Sequence, residues 1–75
     1  MREKILALLQ ELNPDIVDDD SVNLVENEII DSFDIANIVA RMEEEFEIEI
    51  DGEDILPENF FNLNTMEELI HKYEK

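Results

Sequence analysis

Ser32 is the residue in this chain best placed to carry chemistry. It stands in Asp31-Ser32-Phe33-Asp34, at the head of the stretch DSFDIANIVARMEEEF that runs from Asp31 to Phe46. A serine hydroxyl can attack, cap a helix or accept a covalent group. Attack needs a neighbouring base and, in many hydrolases, a Gly-rich elbow. Neither is close to Ser32, the lone His71 is remote in sequence, and the chain has no cysteine. No catalytic residue is assigned, and no enzymatic activity is expected. As an N-cap, Ser32 would want Glu or Gln at position 35 and finds Ile35. Asp31, by contrast, has Asp34 three residues on, an acidic variant of the capping box. If Asp31 caps the helix, the Ser32 hydroxyl is left pointing to solvent. Unpaired N–H groups and the positive end of the helix dipole favour an anion there.

A second place for chemistry is the acid run Asp18–Asp20. An EF-hand loop needs oxygen ligands at positions 1, 3 and 5, Gly at 6 and Glu at 12. Counting from Asp18, position 5 is Val22, position 6 is Asn23 and position 12 is Ile29. No metal site is expected, and the run reads as a solvated acidic turn.

The elements that must position Ser32 follow from periodicity. Ile35, Ile38, Val39, Met42 and Phe46 share one face of an amphipathic helix. Phe33, Asn37, Ala40 and Glu44 lie on the opposite arc, flanked by Arg41 and Glu45 on one side and Ala36 and Glu47 on the other. An earlier helix, Arg2 to Leu12, carries Ile5, Leu8, Leu9 and Leu12 at helical spacing, with Leu6 beside them. Asn13-Pro14 ends it, through a left-handed cap at Asn13 and a proline that cannot continue the ladder. Residues 13–31 form a long connection whose Ile16, Val17, Val22, Leu24, Val25, Ile29 and Ile30 would let it pack down. After Phe46, the alternation through Ile48 and Ile50 has the period of a strand. With no partner strand in sight, it reads as an extended segment tucking both isoleucines inward. Asp51-Gly52 is a turn, Pro57 starts a short helix through Phe61, and Thr65 caps a last helix by the box Thr65-Met66-Glu67-Glu68. Met66, Leu69, Ile70 and Tyr73 form its buried stripe. The expected fold is all-α: a small antiparallel bundle of three main helices plus one short helix, with a long loop between helices one and two. Residues 1–75 are expected to form a single domain with one small core.

Charge bounds the partners. The chain has 22 acidic and 5 basic residues, a net charge of −17. Such a surface repels nucleic acid and anionic membranes and attracts basic patches. It also repels itself, so the melting temperature is expected to rise with ionic strength or added divalent cations; a melting temperature insensitive to salt would contradict this. No apolar run approaches the ~20 residues needed to cross a bilayer, and no charged-then-apolar leader opens the chain. A cytoplasmic monomer is the expectation.

The tetrapeptide Asp31-Ser32-Phe33-Asp34, opening a helix that ends in Glu43-Glu44-Glu45-Phe46, resembles the D-S-L-D motif and second helix of acyl carrier proteins. The resemblance covers that helix without gaps and most of the chain more loosely. It implies that Ser32 carries a 4′-phosphopantetheine arm, loaded from coenzyme A by a phosphopantetheinyl transferase. The arm would hold an acyl or aminoacyl group as a thioester for a loading ligase and downstream synthase enzymes. It further implies that Asp31, Phe33, Asp34, Asn37, Ala40, Glu43, Glu44 and Glu45 form the partner-binding surface, with Phe33 in place of the usual leucine. Asn27-Glu28-Ile29-Ile30 lacks the glycine often found before the serine, Asn37 replaces a common acid, and Arg41 interrupts the acidic face. The ending PENFFNLNTMEELI looks more like discrete aminoacyl or polyketide-type carriers than the usual fatty-acid carrier. Fatty-acid, polyketide, aminoacyl and D-alanyl duties stay open. Ala36 and Ala40 would leave shallow space for cargo. The competing reading is an unmodified acidic interaction domain that binds a basic partner through the same helix.

Overall fold

A computed structural model describes residues 1–74. It contains three helices, α1 (Arg2–Leu12), α2 (Ser32–Phe46) and α3 (Leu63–Tyr73), with 3-10 turns at Gly52–Asp54 and Pro57–Phe60 between the last two. No strand occurs among the described residues. The fold is the all-α arrangement expected, including the long connection before α2. Helix α1 packs against both α2 and α3, and the second 3-10 turn lies against both α2 and α3.

Each helix buries one stripe because its apolar residues recur every three or four positions. Ile5, Leu8 and Leu9 come from α1; Ile35, Ile38, Val39 and Met42 from α2; Leu63, Met66, Leu69 and Ile70 from α3. Leu12 is 37% exposed and stands outside the stripe it was expected to extend. The long connection packs down through Ile16, Leu24 and Ile30, whereas Val17 stays 60% exposed. Its backbone is held by Leu24, whose N–H donates to the Phe61 carbonyl at 2.7 Å. Ile50 is buried and Ile48 half-buried, as an inward-tucking segment requires.

Several local expectations are corrected. Asn13 ends α1 in an extended conformation (φ −146°), and its N–H donates to the Leu9 carbonyl. The left-handed cap lies instead at Glu47 (φ 53°), which turns the N–H of Ile48 back onto the Glu43 carbonyl. Glu28 is left-handed as well (φ 57°). Each costs roughly 1 kcal/mol relative to glycine. Helix α3 begins two residues before Thr65. Asn62 is its N-cap and accepts from the Thr65 N–H, while the Thr65 hydroxyl reciprocates. Thr65 is thus the third helical residue, and Leu63 joins the buried stripe. The short helix is a 3-10 turn ending at Phe60, and Gly52 opens a 3-10 turn of its own.

The acid run is not simply solvated. Arg2 pairs with Asp18 at 2.9 Å and Asp20 at 2.5 Å, and both carboxylates push the guanidinium pKa further up. Asp20 also meets α3, accepting from the Asn64 N–H at 3.4 Å. These contacts tie the long connection to the starts of α1 and α3.

Candidate functional site

The first turn of α2 takes its shape from Asp31 and Asp34. Asp34 N–H donates to Asp31 Oδ1 at 2.9 Å, and Asp31 N–H donates to Asp34 Oδ2 at 3.0 Å. This reciprocal box satisfies the third helical N–H, while those of Ser32 and Phe33, the first two helical residues, stay outside the helix's own ladder. Because Asp31 does the capping, the Ser32 hydroxyl is not needed for it. Ser32 is exposed, and Phe33 beside it is 80% exposed. An open hydroxyl at the N-terminus of a 15-residue helix, with outward N–H groups and the positive end of the dipole, fits a phosphodiester-linked group.

Down the same helix, Asn37, Ala40, Glu44 and Glu45 are exposed. Asp31 is also exposed, whereas Asp34 is half-buried and its carboxylate holds the cap. Glu43 is half-buried too, and its carboxylate accepts from the Ile50 N–H at 2.9 Å. With its backbone carbonyl taking the N–H groups of Glu47 and Ile48, Glu43 anchors the whole exit from α2. Arg41 turns to Glu11 of α1, pairing at 2.6 Å, which offsets its charge within the acidic face.

A family model described as phosphopantetheine attachment site matches residues 3–72. The chain belongs to that family. It is therefore a carrier protein, and its cofactor is a covalently attached 4′-phosphopantetheine. Carriers of this kind interact with phosphopantetheinyl transferases and with synthases. No curated protein and no solved structure matches the chain. Among the described residues no helix is long and apolar enough to cross a membrane, and no cluster of three or more metal-ligating side chains occurs.

One constellation of the carrier was missed by spacing alone. It fastens the connection after α2 onto the end of α3. The Tyr73 hydroxyl donates to Asp54 and accepts from the Asp51 N–H at 3.1 Å, while Lys72 Nζ reaches both Asp54 oxygens at 2.9 Å. The Tyr73 hydrogen bond, then Lys72, holds the Asp54 carboxyl below the usual carboxylate range. Asp54 in turn pushes Lys72 and Tyr73 up. A depressed carboxyl stabilises above its ordinary pKa, and that contribution is lost as pH falls through the folded value. The two raised groups contribute below their ordinary values, near ~10, and lose it as pH rises through the raised ones. Asp54→Asn is therefore expected to lower the urea midpoint around neutral pH, with the gap from the parent closing below about pH 4. A gap that persists unchanged into acid would show that the carboxylate's charge is irrelevant.

Proposed function

We propose that Ser32 is the attachment residue, and that the chain holds acyl or aminoacyl groups as thioesters and presents them to partner enzymes. One observation carries this reading: an exposed serine opens α2 while its neighbour Asp31 does the capping. In loading, the Ser32 oxygen attacks the phosphorus of coenzyme A's pantetheine-bearing phosphate. The adenosine bisphosphate half departs, and the serine proton passes to a base of the transferase. The arm, once bound, supplies a thiol for the thioester; the chain's own part is to hold that arm at a fixed, open helix end. The Asp31 and Asp34 carboxylates beside Ser32 are engaged with backbone N–H groups in the capping box, which supports a carrier without catalysis of its own. We infer further that residues 1–75 act as a single carrier domain.

Docking is assigned to Asp31, Phe33, Asn37, Ala40, Glu44 and Glu45, the exposed set around and below the serine. Their charge attracts Lys and Arg on a phosphopantetheinyl transferase, a loading ligase or a synthase, and Phe33 adds an apolar contact at the centre. Asp34 and Glu43 add negative potential to this face while their oxygens hold backbone N–H groups.

The decisive experiment is intact mass after incubation with coenzyme A and a broad-specificity transferase, followed by peptide mapping. A gain of one phosphopantetheinyl group on the peptide containing Ser32 is the expected result. No gain would favour an unmodified interaction domain. Hydroxylamine release of thioester-bound material from the protein recovered from cells would then tell acyl from aminoacyl cargo.

A further inference from the structure

The far end of α2 carries a feature that attachment at Ser32 does not use. A groove of about 470 Å³ opens there, lined by Phe46, Glu47, Ile48, Glu49, Tyr73 and Glu74. Its floor is apolar: Phe46, Ile48 and Tyr73 are half-buried and packed on the core. Among the described residues every charged side chain lining it is a carboxylate, and Glu47, Glu49 and Glu74 are all exposed. Helix α2 ends at Phe46 and α3 ends at Tyr73, so two helix C-termini meet at this one groove. The carbonyl end of each helix carries partial negative charge and favours a cation. Three carboxylates, two helix ends and two aromatic rings therefore converge on one concave surface that is part apolar and part acidic.

That combination selects a particular chemistry. An anion is excluded by charge, and a purely apolar group would desolvate the carboxylates without compensating them. A long cationic side chain satisfies both parts, its aliphatic stem lying on the apolar floor and its charged head meeting the rim. Guanidinium adds bidentate hydrogen bonding to carboxylates and stacking on Phe46 or Tyr73. The wall is also fixed in advance. Tyr73 is held through its hydroxyl by Asp51 and Asp54, and the Glu43 carboxylate fixes the segment leading to Ile50. Such preorganisation lowers the ordering cost of binding. The strained left-handed backbone sits at Glu47, on the rim itself.

We propose that this groove is a second docking surface, taking an arginine-bearing, aliphatic segment of a partner protein. It lies at the end of α2 opposite Ser32, so a partner seated in it leaves the serine face open. A carrier holding one partner here could meet another at the serine.

The test is a heteronuclear NMR titration of the full chain, in loaded and unloaded forms, with the peptide acetyl-Leu-Arg-Leu-Arg-amide. Saturable shifts at the amides of Phe46 to Glu49 and of Tyr73 and Glu74 are expected, weakening as salt is added. The uncharged acetyl-Leu-Gln-Leu-Gln-amide should leave them in place. Glu47→Gln with Glu49→Gln should weaken binding by about fivefold or more, whereas Asp15→Asn with Glu26→Gln, an equal charge change elsewhere, should alter it less than about twofold. Three results would overturn the proposal: shifts centred on Asp31 to Ala40, equal binding of the glutamine peptide, or equal effects of the two double variants. Because the unloaded chain is tested alongside the loaded one, failure here is separable from failure of attachment at Ser32.

Discussion

Ser32→Ala is expected to abolish loading completely while leaving the melting temperature of the protein almost unchanged. The two halves of that expectation have different physical origins. On the proposed assignment, loading requires the Ser32 oxygen at the start of α2, and alanine supplies none. Stability does not require it, because the capping oxygen belongs to Asp31 and its reciprocal partner to Asp34. Alanine is the best helix former, and exposed substitutions away from such features usually stay within about 0.5 kcal/mol. The chain has one other serine, Ser21, in the connection before α2. Its hydroxyl donates to Asp19 at 2.6 Å and helps hold that carboxyl below the usual range, so it is already engaged and stands at no helix start. Intact mass before and after incubation with coenzyme A and a transferase checks the first half, and thermal unfolding the second. A mass gain that survives Ser32→Ala would move the site elsewhere. A large loss of stability would mean that the hydroxyl caps the helix after all.

Much of this fold was legible because its periodic signals are strong and local. The apolar stripe from Ile35 to Phe46 placed α2 within a residue of its observed bounds, and Asp31 with Asp34 marked its cap. The start of α3 was misplaced because a threonine serves equally well as a cap or as the third residue that answers one. Thr65-x-x-Glu68 matches the first role, whereas Asn62 with Thr65 performs the second. Other features are long-range and leave no periodic trace. Nothing in the local pattern joins Arg2 to Asp18 and Asp20, or the Glu43 carboxylate to the Ile50 N–H seven residues away. The acidic face of α2 is the clearest example. The resemblance groups Glu43, Glu44 and Glu45 as one docking run of surface charge, yet Glu43 is half-buried and occupied with backbone because the chain reverses at Glu47. Exposure of the Ser32 hydroxyl, on the other hand, was deducible, since it depends only on which neighbour takes the cap.

The other large effect is expected at Phe60, and Phe33 supplies the comparison that makes it informative. Both residues are phenylalanines beside helix or turn termini, but Phe60 is fully buried while Phe33 is 80% exposed. Phe60 closes the 3-10 turn Pro57–Phe60, a segment too short to hold its own conformation, and its ring anchors that turn against α2 and α3. The next residue's carbonyl accepts from Leu24, so the same turn also fastens the long connection that leads to Ser32. Truncating a buried phenylalanine typically costs about 3–5 kcal/mol. Small domains hold only roughly 0.05–0.15 kcal/mol per residue, and the self-repulsion of a −17 chain places this one under further strain. Phe60→Ala should therefore remove a large share of the total stability and lower the melting temperature by more than about 10 °C, as circular dichroism on heating would record. Phe33→Ala should leave the melting temperature within a few degrees, since its ring contributes little to the core, and should instead weaken the encounter with the transferase. A Phe33 variant that unfolds as readily as the Phe60 variant would show that the exposed ring is structural. It would then have no claim to be the apolar centre of the docking face.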